Sequence, residues 1–207
     1  MAAGAAGQIA GHAPSSEQMD TAQRELSDQI DHATQRLLGT AREIADSELR
    51  QPSLLPGWTR AYVLAHLARG ADAMRYLLVG ARSGDDRPAY ASEQEWAAAT
   101  EYAAGLGTKE LAADVAASAM ALRVISRQLS DGAWRAPVRP RHSGSFPAAD
   151  LLTRRLVEVE LHHCDLGTGY GPGDWPAAFA AMELAEPMRS QREDRLRRAQ
   201  QASPAAD

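Results

Sequence analysis

Glu158 and His162 stand four residues apart in the stretch from Arg154 to Gly167. That stretch is helical in pattern and ends at a glycine. The spacing therefore puts a carboxylate and an imidazole on one face, close enough to share one ion. A firmly held metal needs a third ligand. The candidate is His66, in the stretch from Gly57 to Ala68. The two segments read as two helices of one bundle, facing each other across a metal. Two nitrogens and one carboxylate suit zinc with one or more open positions, which is a catalytic arrangement rather than a closed structural one. A Glu–His pair at helical spacing is also common on surfaces, where it is a simple hydrogen bond. Two features favour the metal. Glu158 and His162 flank an apolar stripe, and His66 holds the equivalent position beside its own stripe. A buried Glu158 without a partner would be costly, and a divalent cation offsets that cost.

His163 and Cys164 follow directly. Neighbours on a helix point about 100° apart, so His162, His163 and Cys164 cannot all bind one ion. His163 reads as a core residue or a support for the ligands, and Cys164 as an inert packing thiol. Glu160 points away from Glu158 and is not read as a ligand.

Four long helices must position these groups. Leu26, Ile30, Ala33, Leu37, Ala41 and Ile44 recur at three- and four-residue steps, a long amphipathic helix beginning near Ser16. Pro52 and Pro56-Gly57 break it. Thr59 is a plausible N-cap for a second helix running to about Arg82, with Val63, Leu67, Gly70, Met74, Leu77 and Leu78 as its stripe. Residues 92–104 look helical. Thr108 is read as the cap of a third long helix, with Leu111, Val115, Ser118, Leu122, Ile125 and Leu129 as its stripe and Asp131-Gly132 as its end. Residues 133–147 read as a loop with room for short extended pieces; its Arg135, Arg139 and Arg141 read first as solvated charges, with contact to an anionic ligand as the alternative. The fourth helix spans Ala148 to Leu166. A last helix is expected from Pro176, apolar to Leu184 and then charged through Arg198. The resulting organisation is a tail over residues 1–15, expected to be disordered, a helical bundle over 16–185, and a charged extension over 186–207.

Bulk properties exclude some classes. The net charge of −5 argues against a broad nucleic-acid surface. A single cysteine permits no internal disulfide. The N-terminus shows no signal-peptide pattern, and no stretch is apolar enough to span a membrane, so a cytoplasmic protein is expected. Lys109 is the only lysine, which with the abundant alanine hints at a GC-rich bacterial genome.

Leu55-Pro56-Gly57-Trp58-Thr59-Arg60, followed by Val63-Leu64-Ala65-His66-Leu67-Ala68, resembles the N-terminal domain of mycothiol-dependent maleylpyruvate isomerases. So does Arg155-Leu156-Val157-Glu158-Val159, followed by His162-His163-Cys164-Asp165-Leu166-Gly167. The resemblance covers roughly residues 20–185. It implies an all-α, DinB-like four-helix bundle, here with an additional C-terminal helix. It also implies zinc ligands at His66, Glu158 and His162, and a metal that activates the thiol of a small cofactor, mycothiol in an actinobacterium. In the isomerase the thiolate adds to a cis double bond conjugated to a carbonyl, the new single bond rotates, and elimination returns the trans isomer. The family's isomerases carry a second, smaller α/β domain that contributes an arginine. The chain after Trp175 reads as one helix and a tail, so that domain is expected to be missing. An S-transferase or thiol-exchange enzyme is therefore the rival, and a non-catalytic metal- or ligand-binding bundle the third reading. Arg82 and Tyr90 are candidates for the pocket rim. The expected partners are a small thiol and a small electrophile, with no nucleic acid and no membrane. A homo-oligomer remains open.

Overall fold

The computed structural model describes residues 16–85, 89–90, 92–140 and 144–202. The tail expected over residues 1–15, and Arg141, lie outside the described residues. The chain runs through α1 (Ser16–Glu43), a short turn α2 (Asp46–Leu49), α3 (Arg60–Ser83), α4 (Glu93–Ala104), α5 (Thr108–Ser126) and α6 (Asp131–Arg135). A minimal antiparallel pair follows, β1 (Pro137–Val138) and β2 (Phe146–Pro147), with Val138 opposite Phe146. The chain then forms α7 (Asp150–Asp165), a 3₁₀ turn at Pro172–Asp174, α8 (Ala177–Ala180) and α9 (Met188–Ala202).

α1, α5, α3 and α7 close a ring, each packed on the next, and α9 lies on α7. This is the all-α bundle that the stripes predict. The stripes meet at its centre: Leu37 on α1, Leu67 on α3, Leu111 on α5 and Leu156 on α7 are all buried. Ser118, the polar member of the α5 stripe, is buried too, and its hydroxyl donates to the Val115 carbonyl at 3.1 Å. Gly70 and Met74 on the α3 stripe are only partly buried. They face a cavity rather than a neighbouring helix. No described helix is long and apolar enough to cross a membrane.

Three boundaries differ from expectation, each for a specific physical reason. Thr59 caps α3 as predicted, its hydroxyl accepting from the Tyr62 N–H at 3.1 Å. Thr108 does not cap α5. Its N–H donates to Asp46 at 2.8 Å, and its hydroxyl to the Ile44 carbonyl at 2.9 Å. A charged acceptor delivered by α2 outcompetes a local hydroxyl. α5 ends at Ser126 rather than at Gly132, because Ser130 accepts from the Ala133 N–H and starts α6 as a separate turn. The expected last helix is broken, with α8 and α9 separated around Glu186-Pro187. Proline lacks an N–H and disfavours helical backbone at the residue before it.

Replacing a fully buried ring-centre side chain tests this packing. Leu37→Ala should cost about 3 kcal/mol, with a lower denaturant midpoint and an unchanged slope in chemical unfolding.

Candidate metal centre

The Leu55-Pro56-Gly57-Trp58 motif folds as a turn that has a structural task. The Trp58 N–H donates to the Leu55 carbonyl at 3.1 Å, and Gly57 takes φ +79°. Proline second and a left-handed glycine third is the type II pattern. Two bonds moor this loop to the far end of α7. The Leu54 N–H donates to the Asp165 carbonyl at 2.8 Å, and Arg60 Nε to the Leu166 carbonyl at 2.9 Å. Gly167 permits the approach. It takes φ +64°, and a Cβ there would lie 3.3 Å from Leu54. The loop thereby sets Trp58 beside two histidines, its ring 5.0 Å from His66 and 6.1 Å from His162.

α3 supplies His66, and α7 supplies Glu158 and His162. One ligand atom of each lies within 4.8 Å of the others. His66 Nε2 is 3.2 Å and His162 Nε2 3.3 Å from the same oxygen, Glu158 Oε2. Burial pushes the Glu158 carboxyl up, but hydrogen bonds from His162 and His66 outweigh it and hold the group well below its usual range.

The other nitrogen of His162 is also engaged. Nδ1 lies 3.0 Å from Asp165 Oδ2, and Arg195 of α9 holds both Asp165 oxygens, at 3.1 and 2.6 Å. Asp165 is buried. Burial pushes its carboxyl up, and the bonds from His162 and Arg195 bring it down overall. His162 thus sits between two carboxylates. Burial lowers its pKa, but the bonds to Asp165 and Glu158 prevail and raise it to about 9.

His66 and Glu158 form the polar end of a cavity of about 380 Å³. Met74, Leu77, Leu151 and Val157 supply apolar wall, and Pro187 and Met188 at the start of α9 close one side. Trp96 of α4 borders it, 5.4 Å edge-on from the His66 ring. Tyr90 lines the cavity, and its hydroxyl donates to the Arg69 carbonyl at 2.7 Å. Burial pushes that phenol up to about 12. Arg82 is not brought there. It is exposed and donates to Gln128 at 2.6 Å. Among the described residues, the arginine that lines the cavity is Arg154. Sequence reasoning assigned no role to Arg154, Arg195, Asp165 or Trp96. Helical spacing could have found Arg154, four residues before Glu158, and Asp165, three after His162, but Arg195 and Trp96 meet the site only through tertiary packing.

Glu160, His163 and Cys164 face elsewhere. Arg36 donates to Glu160 Oε1 at 2.5 Å and the Tyr170 hydroxyl to Oε2 at 2.6 Å. His163 Nε2 is 2.8 Å from Thr40 Oγ1, and its ring stacks on Tyr170 at 3.7 Å. Burial and the nearby Arg36 push His163 down to about 4, so it is neutral. Burial pushes the Cys164 thiol up to about 12.

The His162 pair has a stability consequence in chelator-treated protein. Its folded-state pKa of about 9 exceeds the ordinary 6.5. The stabilisation is therefore complete below pH 6.5 and lost as pH rises through about 9. The Tm should fall across that window, and His162→Ala should remove that fall.

Residues 30–167 match the mycothiol maleylpyruvate isomerase N-terminal domain family. Two solved structures are similar. One is the mycothiol-dependent maleylpyruvate isomerase, at 29% identity and a TM-score of 0.71, and the other a histidine-to-alanine mutant of it, at 28% and 0.71. Each alignment covers 76% of this chain and 65% of the other, so the chain spans less than two thirds of those proteins. No curated protein matches. The fold is the DinB-like all-α bundle shared with that isomerase, and the chain belongs to the mycothiol maleylpyruvate isomerase N-terminal domain family.

Proposed function

We propose that this chain is a metal- and thiol-dependent enzyme. In this reading His66, Glu158 and His162 hold a divalent metal, zinc first among candidates. The thiolate of a small cofactor, mycothiol in the related isomerase, attacks an electrophile, as in cis–trans isomerisation. The observation that carries it is the convergence of two imidazole nitrogens on one carboxylate oxygen at the polar end of an apolar cavity. Two nitrogens and one oxygen suit zinc while leaving positions open. A bound ion would supply a Lewis acid that ionises a thiol near neutral pH.

The chain's own residues have separate tasks in this reading. Asp165 accepts a hydrogen bond from the Nδ1–H of His162, which leaves Nε2 as the ligating lone pair. Arg195 keeps Asp165 ionised and in place. Trp58 and Trp96 crowd the histidines and limit water around them. The apolar wall receives the body of the electrophile. The nucleophile must come from outside, because Cys164 is buried and protonated at neutral pH.

Metal content of chelator-free protein is the direct test. About one zinc per wild-type chain is expected, with loss in Glu158→Ala and His162→Ala. No metal in the wild type, and none taken up on adding zinc, overturns the reading. Asp165→Asn should retain the site but weaken zinc binding roughly ten- to a hundredfold, read by competition with a chromophoric chelator. With mycothiol and an activated enone, the loaded protein should turn over. Thiol recovered unchanged marks an isomerase, and stoichiometric consumption a transferase.

A further inference from the structure

Arg154 lies on α7 four residues before Glu158, so the two share a face of the helix and line the same cavity. Its guanidinium rests on the Phe146 ring, 4.1 Å from the centroid. It makes no ion pair among the described residues, and its Nε is shut off from solvent with no hydrogen-bond partner. Glu93, the other acid among the described residues that line the cavity, is exposed at the first turn of α4 and does not pair with it. The neighbouring arginines are committed. Arg69 holds Asp114 at 2.6 Å and Asp72 at 3.3 Å, and the buried Arg155 donates to the Leu67 carbonyl at 2.8 Å. Among the described residues, the cavity therefore offers one available cation, in a mostly apolar wall.

We propose that Arg154 anchors a carboxylate of the substrate, and that the substrate is an apolar electrophile with a single carboxylate several bonds from its reacting carbon. This rests on the metal- and thiol-dependent reading of the same cavity. The guanidinium fork matches a planar carboxylate, and the Phe146 ring beneath it fixes its plane. Four residues of helix rise about 6 Å, which sets the scale of the separation between the anchored end and the end near Glu158. A second carboxylate would have to rest against Met74, Leu77 or Val157, where no described residue supplies a cation. Arg154 is thus a specificity residue, and the apolar wall selects the body of the molecule.

The test is direct binding of 4-phenylbutyrate and its uncharged amide, followed by calorimetry, on protein of measured zinc content. Wild type should bind the acid roughly tenfold or more tighter than the amide, as a charge-assisted pair in a shielded site requires. Arg154→Gln should bind both alike, at the amide's wild-type affinity, which also shows that the variant is folded. If that variant does not fold, Arg154→Lys replaces it and should lose severalfold of the preference by losing the fork. Equal binding of acid and amide by wild type overturns the proposal. So does an acid preference that survives in Arg154→Gln, which would put the carboxylate on the metal. One zinc per chain without acid preference sinks the anchor alone. Acid preference without zinc sinks the metal reading and leaves the anchor standing.

Discussion

A carboxylate set between two imidazoles governs this molecule. Glu158 cannot meet His66 unless α3 and α7 pack in one register, because the two come from different helices. Much of the surrounding structure serves that register. The type II turn at Pro56-Gly57 brings Trp58 over the histidines, and its loop bonds to the end of α7. From the other side, α9 lays Arg195 on Asp165, which in turn fixes the ring of His162. The negative charges are spread so that each has a cationic or imidazole partner, the condition for keeping carboxylates in a half-buried place.

α7 carries two polar systems on different faces. His162 and His163 are neighbours, yet their environments push them in opposite directions. Burial acts against protonation in both. At His162 two carboxylates overcome it and raise the pKa to about 9. At His163 Arg36 adds to it and lowers the pKa to about 4. Helical geometry is what keeps these systems apart, since adjacent side chains diverge by about 100°. The Glu160, Arg36, Tyr170 and Thr40 contacts join α7 to α1 and to the turn after α7, while the Glu158 cluster faces α3 and the cavity. One helix thus cements the bundle with one face and presents chemistry with the other.

α9 lies outside residues 30–167, the span that matches the family, yet it takes part in the site. It closes one side of the cavity with Pro187 and Met188 and also supports a histidine of the cluster through Arg195. A mostly charged helix with a weak apolar face has little reason to dock from its sequence pattern alone. Its anchoring is a bidentate arginine on a buried aspartate, a strong and directional contact.

The helices, the core stripes and the His66, Glu158 and His162 candidates were legible in the sequence, because helical period and four-residue spacing are local properties of the chain. The capping of α3 by Thr59 was legible for the same reason. The break before α9 was not expected from the sequence, although proline's missing N–H at Pro187 is a local signal for it. Tertiary structure alone decided that Asp46 rather than Thr108 caps α5, that Arg82 stands away from the cavity, and that Arg195 reaches Asp165. It also brought the three ligand candidates together, since a separation of 92 residues between His66 and Glu158 is closed only by packing α3 on α7. Periodicity specifies which face of a helix is buried. Which partner that face meets depends on the packing of the whole bundle, a property of no single segment.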